Sequence, residues 1–244
     1  MSRKLLLISS SNLYGTGYLD HAEEEIRDHL KGLTQVLFIP YALRDYDSYL
    51  AKVSARLKQM GLQCGSIHQH KDPKEALKTA QAIFIGGGNT FRLLKTLYER
   101  DLLHAIRESV DAGARYIGSS AGTNVACPTI RTTNDMPVVE PPSLTAIGLI
   151  PFQINPHYLD PDPNTKHMGE TRPERIGEYL DENDLPVVGL REGTMIRTEM
   201  DQYMLKGIAS ARIFRKGQDA VEVPPGNSLN SMLSEILTAE TQRR

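Results

Sequence analysis

The chain has 244 residues, 40% of them hydrophobic and 24% charged, with a formal net charge of −2. That is ample apolar material for a core, and so small a net charge gives no general attraction for polyanions, which argues against nucleic acid as a partner. Two cysteines, Cys64 and Cys127, supply neither a disulfide framework nor a zinc spacing. No apolar run approaches the roughly eighteen residues of a membrane span, so no membrane partner and a reducing, cytoplasmic setting are expected.

In chain order, Leu5–Ile8 follows the basic start Met1-Ser2-Arg3-Lys4. It is too short for the apolar region of a signal peptide and reads as the first core strand. Apolar runs at 36–39, Ala82–Ile85, 115–117 and Val187–Leu190 are further strands. Between them, residues 19–30, 45–60, 73–80, 90–98 and 101–112 carry apolar positions at helical spacing with charged opposite faces. This βαβ rhythm predicts an α/β fold: a doubly wound, mostly parallel sheet with helices on both faces. After Leu190 come short alternating segments at 194–197, 203–205 and 212–215, separated by Gly207 and Gly217, which read as antiparallel strands at one edge. Nothing resembles a linker, so one domain over 1–244 is expected, with about 224–244 as a frayed polar tail.

Ligands of open parallel sheets bind at the carboxyl ends of the strands, and two loops stand out there. Gly118-Ser119-Ser120-Ala121-Gly122 follows the strand at 115–117 and precedes a short helical stretch, Thr123-Asn124-Val125-Ala126-Cys127, that Pro128 stops. A serine on so sharp a strand-to-helix turn can expose its Oγ as a nucleophile, and the helix N-terminus makes the Ala121 N–H a candidate oxyanion donor. The other loop, Gly86-Gly87-Gly88-Asn89-Thr90, lets backbone amides approach a ligand closely. It lacks the spacing and the lysine of nucleotide loops. Its Gly88 N–H is the second candidate oxyanion donor, and Asn89 is the expected N-cap of the next helix and a candidate substrate contact.

A serine needs a base. Of the seven histidines, His21, His29 and His104 fall on amphipathic helices, and His68 and His70 flank an edge or loop among charged neighbours. His157 differs: it lies in a loop, Gln153-Ile154-Asn155-Pro156-His157-Tyr158, after Leu149-Ile150-Pro151-Phe152, where prolines restrict the backbone. Glu192 and Asp135 are both candidates to orient its imidazole, and the residues alone do not choose between them. Asp160 and Asp162 with His157 offer a weak alternative, a metal site; none is expected. Thr171-x-x-Glu174 is a capping box, which puts Arg172 in the first turn of a helix, where a cation is unfavourable unless it is used.

The glycine loop, the serine turn, the segment from Arg131 to Met136, Asn155-Pro156-His157 and Gly169-Glu170-Thr171-Arg172 together resemble peptidase E, the α-aspartyl dipeptidase family, from the first strand to about residue 215. The resemblance implies a class I glutamine amidotransferase-like fold and a serine peptidase that cleaves dipeptides beginning with aspartate without metal or other cofactor. By position, Ser120 would be the nucleophile, His157 the base, and Asp135 or Glu192 the third member. Arg172 would receive the substrate carboxylate. A monomer or weak homodimer is implied. Two rival readings remain: a cyanophycinase-like peptidase acting on β-aspartyl linkages, and a catalytically silent protein that binds small acids on the same scaffold.

Overall fold

The computed structural model describes residues 2–164, 166 and 168–233. Strand and helix alternate through β1 (Leu5–Ile8), α1 (Glu23–His29), β2 (Gln35–Ile39), α2 (Tyr46–Gln59), β3 (Gln63–Ser66), α3 (Pro73–Thr79), β4 (Ala82–Ile85), α4 (Thr90–Glu99), α5 (Leu103–Asp111), β5 (Arg115–Ser119) and α6 (Ala121–Ala126). There follow β6 (Gln153–Pro156), α7 (Arg172–Glu182), β7 (Val187–Leu190), β8 (Thr194–Glu199), β9 (Gln202–Gly207), β10 (Ala211–Arg215) and β11 (Gln218–Val223).

Seven strands form the main sheet in the order β3-β2-β4-β5-β1-β8-β9. The first five are parallel, while β8 and β9 extend the sheet antiparallel beyond β1. Side chains of a strand alternate between faces, and here the alternation sorts them into two cores. Leu5, Leu7, Ile39, Ile83 and Ile85 face α3 to α6 through Leu77, Leu93, Leu97, Ile106 and Val125. Leu6, Ile8, Phe38 and Phe84 face α1 and α2 through Ile26, Val53 and Leu57. Both faces are covered, as a parallel sheet requires. Among the described residues, no helix is long and apolar enough to cross a membrane.

A second sheet, β11-β10-β7-β6, is the main departure from the sequence reading. Val187–Leu190 and the segment at 212–215 belong to it and not to the large sheet. One of its faces joins the first core through Ile154, Val188, Leu190 and Ile213, and the other packs on α7 through Val187, Phe214, Ile176 and Leu180. Its strand β6 escapes an apolar-run reading because it is Gln-Ile-Asn-Pro, with Gln153 and Asn155 both buried. His157 therefore follows a strand and does not stand in a free loop. β3 and β11 were not anticipated either: each is an edge strand with a single fully buried residue.

The expectation of fraying from Pro224 fails for residues 224–233. The Leu229 N–H donates to the Tyr203 carbonyl at 2.8 Å, the Leu205 N–H donates to the Asn227 carbonyl at 3.0 Å, and Leu229 and Leu233 are buried. This segment covers the outer edge of β9. Residues 234–244 lie outside the described residues.

His29, at the end of α1, is buried with Nε2 3.2 Å from the Tyr116 carbonyl, which only accepts, so Nε2 carries the proton. Burial, then Arg197 and Arg115, lowers its pKa from 6.5 to about 3. Between those values the unfolded chain binds a proton that the folded chain refuses. Stability therefore rises with pH through this window and is lost as pH falls through it. Urea denaturation of His29→Gln between about pH 4 and 6 should give a slope shallower than wild type by up to about 1.4 kcal/mol per pH unit, and equal slopes would assign the acid sensitivity elsewhere.

Candidate active site

Ser120 leaves β5 with φ 51° and ψ −107°, a region costly to a residue with a Cβ by roughly 1–3 kcal/mol. The neighbouring backbone holds it there. Its N–H donates to the Ile8 carbonyl at 3.0 Å, and its own carbonyl accepts the N–H groups of Thr123 and Asn124 at 2.9 Å. Helix α6 descends so close to β4 that a Cβ on Gly122 would lie 2.1 Å from the Ile85 carbonyl oxygen. The glycines of the turn are thus required by contact as well as by conformation, and the serine stays partly exposed at the top of the sheet.

The imidazole arrives from the second sheet. His157 follows β6 with φ 54°, its N–H donates to Ser9 Oγ at 2.9 Å, and the Ser9 hydroxyl donates to the Leu190 carbonyl at 2.7 Å. One buried hydroxyl at the carboxyl end of β1 therefore ties together the ends of β6 and β7. The segment 131–136 buttresses β6 from the other side. Thr132 Oγ1 donates to the Ile154 carbonyl at 2.8 Å, Asn134 Nδ2 to the Pro156 carbonyl at 2.6 Å, and Asn155 Nδ2 to both the Thr132 carbonyl and Asn134 Oδ1 at 2.8 Å.

With its backbone fixed, the ring bridges two side chains: Nδ1 lies 2.7 Å from Glu192 Oε1, and Nε2 lies 2.9 Å from Ser120 Oγ. A carboxylate accepts only, so Nδ1 carries the proton and Nε2 presents its lone pair to the serine hydroxyl. The His157 and Glu192 side chains are 37% and 43% exposed, so their attraction adds little to stability. Its effect is to set tautomer and ring orientation. The neighbouring Arg191 points elsewhere: its guanidinium makes 2.8 Å contacts to both oxygens of Asp160 and both of Glu222. Those bonds raise the Arg191 pKa and engage both oxygens of Asp160.

Asp135 stands elsewhere. Its Oδ2 accepts the Thr90 N–H at 2.7 Å and the Thr90 hydroxyl at 2.6 Å, at the N-terminus of α4. A carboxylate is favoured there by the helix dipole and free N–H groups, and it makes no bond to His157. Asn89 caps the same helix: its Oδ1 accepts the Arg92 N–H at 3.0 Å while Nδ2 donates to the Met136 carbonyl at 2.9 Å. Both ends of that side chain are engaged within the protein, which leaves little of it for a substrate. Gly88 adopts φ 136°, and neither its N–H nor that of Ala121 is bonded among the described residues. Arg172 opens α7 behind the capping box, half-buried, with no hydrogen bond or ion pair among the described residues. Burial, then Arg175, lowers its pKa. The other histidines have separate duties: His68 bridges Ser66 and Asp47, and His104 pairs with Glu108 on the surface.

In sequence, residues 5–206 match the peptidase family S51. The chain belongs to that family. A protein of Streptomyces coelicolor named "Peptidase E" is 50% identical over 229 residues, 94% of each chain. A Drosophila melanogaster protein named "Probable alpha-aspartyl dipeptidase" is 49% identical over 237 residues, 96% of this chain and 99% of that one. Among solved structures, a peptidase from an acI-B1 actinobacterium aligns with a TM-score of 0.67 at 20% identity, covering 93% of this chain and 96% of that one, a likeness of fold.

For this S51 chain, the residue that sequence reading passed over is Ser9. Its signal was available in its place, directly after a wholly apolar strand at the ligand-binding end of a parallel sheet. Ser9→Ala removes the bond that holds the His157 N–H and the bond that ties the hydroxyl to the Leu190 carbonyl. We expect kcat on a cleavable dipeptide to fall about 5–10-fold with little change in KM, and an unchanged kcat would show that β6 is held without Ser9.

Proposed function

We propose that the protein is a serine-type dipeptidase acting on small acidic dipeptides with aspartate at the N-terminus. The observation that carries this reading is the unbroken hydrogen-bonded series from Glu192 through His157 to Ser120. His157 Nε2 takes the proton as Ser120 Oγ attacks the aspartyl carbonyl carbon. The oxyanion that forms is received by the N–H groups of Gly88 and Ala121, which have no other partner among the described residues. The protonated imidazole then gives its proton to the departing amine, leaving an ester on Ser120 and the C-terminal amino acid free. Water, activated by the same ring, hydrolyses the ester. Glu192 remains ionised throughout and stabilises the imidazolium. The names and identities of the relatives support aspartate as the first residue.

Selectivity for that residue calls for a cation facing its side-chain carboxylate and an anion facing its free ammonium. Arg172, a half-buried guanidinium with no carboxylate partner among the described residues, is suited to the first. Asp135 is suited to the second, because both of its bonds go to Oδ2. The reaction as written uses no cofactor. The free thiols of Cys64 and Cys127, whose pKa values burial pushes up to about 12, fit a reducing cytoplasm.

A panel of Asp-Leu, β-Asp-Arg and Leu-Leu dipeptides, assayed on wild type and Ser120→Ala, tests bond, specificity and nucleophile together. Wild type should cleave Asp-Leu alone, with no loss of rate in a chelator, and Ser120→Ala should lose at least about 10³-fold in kcat while binding substrate similarly. Cleavage of the β-linked peptide alone would overturn the α-aspartyl assignment. Binding without turnover in wild type would make the protein a sensor of small acids.

A further inference from the structure

Helix α2 reaches the glycine loop through one phenol. Tyr49 is 6% exposed, its ring stands edge-on to Phe38 with centroids 5.0 Å apart, and its hydroxyl donates to the Gly87 carbonyl at 3.1 Å. The fit is tight on both sides of that carbonyl. A Cβ on Gly86 would lie 2.3 Å from Tyr49 Oη, and one on Gly87 would lie 3.2 Å from Ser120 Cβ. Gly87 is thus held between the phenol of α2 and the turn that carries the proposed nucleophile.

A trans peptide sends its C=O and its N–H in opposite directions. With the Gly87 carbonyl bonded to Tyr49, the Gly88 N–H across the same peptide plane is turned away from the phenol. Three consecutive glycines have little torsional preference of their own, so the Gly87–Gly88 unit could turn over were nothing holding it. Downstream the chain is pinned by the Asn89 N–H on the Ala42 carbonyl at 3.0 Å, but that bond does not fix the preceding peptide.

We infer that Tyr49 is a positioning residue for the oxyanion site, its hydroxyl holding the Gly87–Gly88 peptide so that the Gly88 N–H faces the Ser120 side. This rests on the reading of Gly88 as an oxyanion donor. Burial raises the Tyr49 phenol above its ordinary pKa, so it remains a proton donor across the working range. The Tyr18 hydroxyl beside it is raised for the same reason. Sequence reading had no means of seeing this link, because Tyr49 occupies an ordinary apolar position of an amphipathic helix.

The test uses the full chain and Tyr49→Phe, which keeps the ring against Phe38 and deletes only the hydroxyl. Removing an oxyanion donor outright costs about 10²–10³ in kcat, so loosening one should cost about 10–100-fold, with KM for Asp-Leu within about threefold of wild type. Affinity for an aspartyl boronic acid, whose tetrahedral adduct on Ser120 mimics the oxyanion, should fall by the same factor. Affinity for free aspartate should not change. Gly86→Ala, which forces the phenol aside, should reproduce the pattern and carries the test if Tyr49→Phe does not fold. Full kcat in Tyr49→Phe, or equal losses of boronate and aspartate affinity, would overturn the inference. Activity surviving in Ser120→Ala would instead overturn the serine mechanism itself, whatever Tyr49 does.

Discussion

Closure between two sheets is the constraint on which the site depends. Ser120 rises from the middle of the seven-stranded sheet, whereas His157 and Glu192 stand at the ends of strands in the four-stranded one. A hydrogen bond of 2.9 Å between side chains from separate sheets tolerates very little sliding. The molecule supplies the rigidity through a shared apolar core, in which Ile154, Val188 and Leu190 pack with the inner residues of β1 and β4. It supplies the register through Ser9, whose hydroxyl bonds backbone at the ends of β6 and β7, two neighbouring strands of the small sheet. Packing fixes how far apart the sheets lie, and directional bonds fix where along one another they stop.

A similar division runs through the loops. Asp135, Thr90, Thr133 and Asn124 form one polar cluster under the N-terminus of α4, while Asn134, Asn155 and Thr132 form another against β6. Adjacent residues of one segment, Asn134 and Asp135, thus serve two different elements. That the carboxylate goes to the helix and the amide to the strand follows from charge. The helix end has spare N–H groups and a positive dipole, while the strand end offers a carbonyl that needs a donor.

Much of this was legible beforehand. Continuous apolar runs located β1, β2, β4, β5 and β7, and the turn at Ser120 and the capping box at Thr171 and Glu174 lie where their residue patterns put them. What escaped detection had a physical reason for escaping. β6 is a buried strand whose Gln153 and Asn155 side chains donate to a segment some twenty residues away, so no hydrophobic pattern marks it. The choice of Glu192 over Asp135 beside His157 depends on which sheet each loop leaves, a property of topology that spacing does not encode. The peptide-orienting bond from Tyr49 joins residues 38 positions apart and has no local signature at all.

The exposure of the His157 and Glu192 side chains has a chemical corollary. An ester on Ser120 would sit at a shallow mouth and not at the end of a tunnel. Solvent would reach its carbonyl from the side on which the imidazole stands, at a concentration no second amine could match. Hydrolysis would then prevail over transfer of the acyl group to another peptide, and the open rim that admits a two-residue chain would also ensure that its fragments are not rejoined.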